Sequence, residues 1–223
     1  MIITIDGPAG TGKTTIAKRV AKELFLPYFD TGAMYRAVTY FFLDKPISLE
    51  DSESIHYYLK QFHFTLEWVG EEALYVVNDQ DVTEQIRSQE VTEKVSLISA
   101  IPAVRHLLWD MQRAWAESQG GVFEGRDMGS VVFPHADFKF FLTAAPEIRA
   151  RRRWMELQDK KIESRCSYLE ILEQINQRDL LDSSRKLAPL QKPLKSEEID
   201  TSHLTLEEVV RRIVTYCQQG ETR

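Results

Sequence analysis

The chain is poor in cysteine. Only Cys166 and Cys217 occur among its 223 residues, and neither sits in a CxxC pair, so a zinc knuckle or dithiol redox centre is not indicated. Cys217 lies on the apolar face of a helical pattern and reads as a small core residue. Histidine is also scarce. His56, His63, His106, His135 and His203 lack metal-ligand spacing or a paired nucleophile and read as surface or packing residues. No apolar run approaches the ~20 residues of a membrane span, and no signal peptide is read ahead of Ile2–Ile5, so the cytosol is the expected location. An excess of positive charge is missing too. The net charge of −6 and pI of about 5.5 argue against a dedicated nucleic-acid binder, while leaving room for a local basic pocket.

What is present is enough apolar content, 43%, to build a packed interior. The length exceeds the ~100–150 residues of one domain without reaching two, so one core with an inserted or appended subdomain is expected. Ile2 to Ile5 reads as a buried parallel strand that runs into glycines. Ile16, Ala17, Val20, Ala21 and Leu24 then recur at helical spacing. Strand, glycine loop and helix open an α/β domain. Residues 32–43 read as helix. From 62 to 87 the pattern changes: Phe62, Phe64, Leu66 and Trp68 alternate with polar residues, and Leu74–Val77 follows Gly70, a hairpin signal for a small antiparallel sheet. Helices are expected at 89–99 and 103–118, and further central strands at 121–124 and 138–142. Ser167 with Glu170, and Thr205 with Glu208, form capping boxes that start two more helices. The last of these carries Leu206, Val209, Val210, Ile213, Val214 and Cys217 on one face. The expected core is a parallel sheet wrapped by helices, without repeats.

Gly7-Pro8-Ala9-Gly10-Thr11-Gly12-Lys13-Thr14 matches GxxxxGK[ST] at every required position, between a predicted strand and a predicted helix. Glycines let backbone N–H groups point inward at phosphate, and the helix adds its positive end. Lys13 is the candidate for the β and γ phosphates of a bound ATP, Thr14 for Mg²⁺, and Thr15 for the α phosphate. The DxxG and NKxD elements of a regulatory GTPase do not occur in suitable places.

A phosphotransferase must also hold an acceptor. Arg36 follows Asp30–Tyr35, and Arg126-Asp127 lies just past a predicted strand, where ligands of open α/β sheets collect. Arg149, Arg151, Arg152 and Arg153 form a third basic group. Arg178, Asp182 and Arg185 form a fourth, with the two arginines seven residues apart and so on one helix face. Positioning and positive charge are what phosphoryl transfer needs, and a lid bearing arginines supplies both while excluding water. No catalytic base is required, because an ionised phosphate oxygen attacks directly.

Taken with the runs Asp30-Thr31-Gly32-Ala33-Met34-Tyr35-Arg36, Gly125-Arg126-Asp127-Met128-Gly129-Ser130-Val131-Val132-Phe133-Pro134 and Arg178-Asp179 through Pro189-Leu190, the chain resembles bacterial cytidylate kinases, of the nucleoside monophosphate kinase superfamily, along essentially its whole length. The resemblance implies a parallel core at approximately 1–31, 88–148 and 190–223, a CMP-binding domain at approximately 32–87 with contributions from 96–105, and a lid at approximately 149–186. It implies that Thr31 and Asp182 hold the ribose hydroxyls, Arg36 and Arg126 the acceptor phosphate, and Ser96, Arg105 and Asp127 the cytosine. Arg178 and Arg185, with Arg152 beside them, would reach the transferring phosphate. Thr31 stands where some relatives have serine, and Leu181 where some have a further lid arginine. The expected substrates are ATP and CMP or dCMP, with Mg²⁺, in a monomer that uses neither nucleic acid nor membrane. A kinase for another small acceptor, such as UMP or shikimate, is the nearest alternative. A non-catalytic nucleotide-binding switch is the alternative of another class, and it has no use for a second phosphate pocket.

Overall fold

The computed structural model describes residues 1–48, 51–70, 72–159 and 167–220. Cys166 and part of the expected lid lie outside the described residues. The elements, in chain order, are β1 (Ile2–Asp6), α1 (Lys13–Glu23), β2 (Tyr28–Asp30), α2 (Thr31–Leu43), α3 (Ser52–Leu59), β3 (Phe64–Val69), β4 (Glu72–Val77), β5 (Gln80–Asp81), α4 (Gln89–Ile98), α5 (Pro102–Gln119), β6 (Gly121–Gly125), β7 (Phe138–Thr143), α6 (Pro146–Asp159), α7 (Tyr168–Ser184), β8 (Glu197–Asp200) and α8 (Leu206–Gly220). They divide into two compact units, Met1–Phe29 with Trp115–Arg223, and Asp30–Ala114.

The first unit is built on a five-stranded sheet in the order β2-β6-β1-β7-β8. β1 pairs in parallel with β6 and β7, and β7 with β8. Ile3 and Ile5 of β1 are fully buried. A central parallel strand is covered on both faces, which is why β1 reads as an apolar run rather than an alternation. Its side chains share one core with Ile16 and Val20 of α1 and Val210 and Ile213 of α8. The apolar stripe predicted for the last helix, Cys217 included, is buried there. Truncating one such residue, Ile213 to Ala, is expected to cost about 2–5 kcal/mol. Both capping boxes are formed. Ser167 and Glu170 bond reciprocally at the start of α7, as do Thr205 and Glu208 ahead of α8.

The second unit holds the antiparallel sheet β3-β4-β5. Phe64 faces Val77 and Leu66 faces Tyr75. Asn78 and Asp79 join β4 to β5 with φ of 49° and 64°, the two positive values of a type I′ turn. Phe62, Phe64 and Tyr75 form a stacked series on the buried side. α4 packs on α2, so α4 and most of α5 belong to this unit, although most of residues 88–114 was assigned from sequence to the core. The sequence did not announce β2, α3, β5 or β8. Among the described residues no helix is long and apolar enough to cross a membrane.

Candidate active site

The glycine-rich loop, residues 7–12, joins β1 to α1 in the first unit. Gly7 has φ +148°, and a Cβ there would stand 2.1 Å from the Leu142 carbonyl oxygen of β7, so only glycine turns the chain away from β1 at this point. Lys13 is the first residue of α1 and is buried. Its Nζ donates to the Pro8 carbonyl at 2.6 Å, and the Thr11 hydroxyl donates to the same oxygen at 3.1 Å. Burial, followed by the nearby Arg126 charge, holds the Lys13 ammonium well below its ordinary pKa, while Glu124 pulls the other way. A bound polyphosphate would supply the negative charge that this lysine is short of. α1 has no acidic residue in its first turn, which leaves its positive end open to an anion. Thr14 is half-buried in that turn and Thr15 is exposed.

The same unit gathers five of the predicted acceptor and lid residues. Arg126 follows β6, and its Nε donates to Asp182 Oδ2 of α7 at 3.0 Å. Arg185 Nη1 lies 3.9 Å from the other Asp182 oxygen, and Arg185 Nε donates to the Asp182 carbonyl at 3.2 Å. Asp182 is buried, which alone would raise its pKa, but Arg126, Arg185 and Arg178 together hold it below the usual carboxylate value. Arg178 also acts on Lys13. Lys13, Arg126, Arg178, Arg185 and Asp182 therefore form one electrostatic group. Asp127 is buried beside it. Arg185 does not lie within α7, as the seven-residue spacing implied; α7 ends at Ser184 and Arg185 is its C-cap. Leu181 is exposed. Arg152 is engaged elsewhere, donating to the Thr201 hydroxyl and carbonyl at 3.1 and 2.5 Å.

The remaining predicted residues belong to the second unit. Asp30 caps α2 by accepting from the Ala33 amide at 2.9 Å, with Thr31 buried as the first helical residue. Arg36 donates to the Ile86 carbonyl at 3.1 Å and the Thr92 hydroxyl at 2.9 Å. Arg105 is fully buried. It donates to the Ser99 carbonyl at 2.8 Å, and its guanidinium lies 5.3 Å from the centroids of both the Tyr35 and Trp109 rings. The Ser96 carbonyl accepts from the Ser99 hydroxyl at 3.0 Å, so Ser96, Ser99 and Arg105 share one corner between α4 and α5.

Two residues of the first unit, Asp6 and Glu124, were given no role by the sequence reading, and a third, Arg149, was read only as part of a basic group. Asp6, Glu124 and Arg149 are buried charges close to the glycine loop. Glu124 accepts from the Tyr28 hydroxyl at 2.7 Å and acts on Lys13. A charged residue at the end of an otherwise apolar strand, as Asp6 is, or next to it, as Glu124 is, was the available signal. For Mg²⁺ the residues present fit: the Thr14 hydroxyl and the Glu124 carboxylate are hard oxygen donors near the loop. Among the described residues no group of three or more His, Cys, Asp or Glu could hold a metal.

The cytidylate kinase family model matches residues 3–219. The chain belongs to the cytidylate kinase family. The cytidylate kinase of Protochlamydia amoebophila (strain UWE25) is 46% identical over 225 residues, covering 100% of this chain and 99% of the relative. That of Caldanaerobacter subterraneus subsp. tengcongensis is 50% identical over 211 residues, covering 95% and 92%. Among solved structures, the shikimate kinase of Bacteroides thetaiotaomicron superposes with a TM-score of 0.52 at 17% identity, covering 98% of each chain, a likeness of fold alone. The family's parallel core and small antiparallel sheet are both present in this chain.

Proposed function

We propose that this chain transfers the γ-phosphoryl group of ATP to CMP, and to dCMP, giving CDP or dCDP. The observation that carries this reading is the group of Lys13, Arg126, Arg178 and Arg185 around Asp182, which provides cations for two phosphates where a switch needs them for one. In this reading the backbone of residues 7–12 and the end of α1 cradle the ATP phosphates, and Lys13 leaves the Pro8 carbonyl for the β and γ oxygens. Arg36 and Arg126 hold the acceptor phosphate, Thr31 and Asp182 the ribose, and Ser96, Arg105 and Asp127 the base. Arg178 and Arg185 stabilise the charge that spreads over the migrating group. The acceptor oxygen attacks in line, without a base. Thr14 and Glu124 would hold Mg²⁺, which would supply charge neutralisation at the β and γ phosphates.

A monomer working in cytoplasmic pyrimidine metabolism, without nucleic acid or membrane, completes the reading. The test is ADP release from Mg²⁺-ATP with CMP, dCMP, UMP, AMP, GMP and shikimate offered separately. Strong stimulation by CMP and dCMP with weak UMP turnover is expected. A stronger response to another acceptor would keep the kinase and discard the pocket. No response from folded, ATP-binding protein would favour a switch.

A further inference from the structure

Asp6 ends β1, and its side chain is fully buried. One carboxylate oxygen accepts from the Met128 amide at 2.9 Å, and the other accepts from the Gly129 amide at 2.7 Å. These amides open a single π-helical turn, Met128–Val132, which follows directly on Arg126 and Asp127. The turn lies hard against β1 and its neighbours. A Cβ on Gly129 would stand 2.7 Å from Thr4 Oγ1, 3.0 Å from Lys139 Cδ and 3.1 Å from Pro193 Cγ. The residue after Asp6 is Gly7, where the phosphate loop begins. A single side chain thus joins the loop expected to hold the donor to the turn expected to hold the acceptor.

We infer that Asp6 is a positioning residue for the acceptor: it fixes Arg126 and Asp127 relative to the phosphate loop and so sets the hold on CMP and the preference for cytosine. The inference rests on the reading that Arg126 and Asp127 bind CMP. The geometry calls for a carboxylate. Two N–H donors face two acceptor oxygens, and an amide in its place would turn its own NH₂ against one of them. Burial pushes the Asp6 carboxyl up to about 7; the Gly129 and Met128 amides and Lys13 oppose that rise, and Asp127 adds to it. A group so costly to ionise is retained where its charge-assisted bonds are needed.

The test is steady-state kinetics of Asp6→Asn beside Asp127→Ala, with ATP, CMP and UMP varied in turn. Loss of one buried bond to a charged acceptor predicts that Asp6→Asn raises KM for CMP about tenfold and lowers the CMP-over-UMP preference, with KM for ATP changed by less than about twofold. A purely structural defect in the phosphate loop would raise KM for ATP at least as much, and that result would overturn the inference. Asp127→Ala altering the preference while Asp6→Asn leaves both KM for CMP and the preference unchanged would overturn it too, with the pocket reading intact. An unchanged preference in Asp127→Ala would remove the pocket reading, and the inference with it. If Asp6→Asn does not fold, Gly129→Ala displaces the same turn while leaving Asp6 in place. The same split in KM is expected, and an unchanged KM for CMP in that folded variant would count against the positioning role.

Discussion

Arg149 Nη2 lies 2.6 Å from Asp179 Oδ2 of α7, while the same guanidinium donates to the Ala9 carbonyl of the phosphate loop at 3.1 Å and to the Ala144 carbonyl at 2.9 Å. One buried cation therefore fastens the loop to the helix that carries Arg178. Breaking such a pair from one side leaves its partner uncompensated. Arg149→Met is expected to destabilise the protein by about 3 kcal/mol, or roughly 6–12 °C in Tm. KM for ATP should rise as well. Thermal unfolding and ATP titration check both, and an unaltered Tm would show the pair to be dispensable.

Lys13→Ala removes the cation proposed to reach the migrating phosphate. By analogy with the loss of one preorganised stabilising group, turnover should fall at least about a hundredfold. CMP binding, measured by calorimetry without ATP, should stay within about threefold, since this lysine is assigned to the donor. Near-normal turnover would show that the loop has been given the wrong job.

Trp109 is buried against the Arg105 guanidinium. Trp109→Leu should weaken the protein by about 3 kcal/mol, through lost packing and the loss of its cation–π contacts with Arg105 and Arg113. It should also raise KM for CMP, because Arg105 would no longer be held in place. Trp109→Phe should recover much of both. Chemical denaturation and CMP kinetics test the pair of variants together; recovery of stability without recovery of KM would remove Arg105 from the base-reading set.

The pKa of Asp6 also predicts a pH dependence. It is about 7 in the folded chain against 3.8 for an unperturbed carboxyl, so between those values the folded state holds the extra proton. Stability from this group is full below about pH 4 and declines as pH rises through about 7, by an amount on the order of 4 kcal/mol at most. Unfolding free energies of the ligand-free protein at pH 5 and pH 8, compared with those of Asp6→Asn, should show a shallower slope in the variant. Equal slopes would mean that Asp6 ionises no differently in the folded and unfolded chains.

The phosphate loop, β1, α5, β6 and β7 were legible in the sequence because each announces itself locally, by glycine spacing or by apolar periodicity. The antiparallel sheet was legible in the alternation of Phe62, Phe64, Leu66 and Trp68. β8 was not, since its Glu197-Glu198-Ile199-Asp200 buries only Ile199 and owes its existence to β7. β2 is three residues long, too short to show a period. The site divides along the same line. Arg126 and Asp182 could each be picked out, but their 3.0 Å contact spans 56 positions and no local pattern encodes it. Asp6 was missed for a stronger reason. Its partners are main-chain amides 122 and 123 positions away, and an amide carries no residue type to read.

β1 precedes the other strands of its sheet in the chain and lies in the middle of it, with β6 on one side and β7 on the other. On a ribosome adding about 5–20 residues per second, its neighbours emerge only after Gly121, on the order of ten seconds later. Residues 30–114 leave the tunnel in that interval and can pack among themselves first. The loop after β1 is therefore synthesised well before the two strands that flank β1. Until then the apolar Ile2–Ile5 segment, whose Ile3 and Ile5 end fully buried, lacks both of its strand partners.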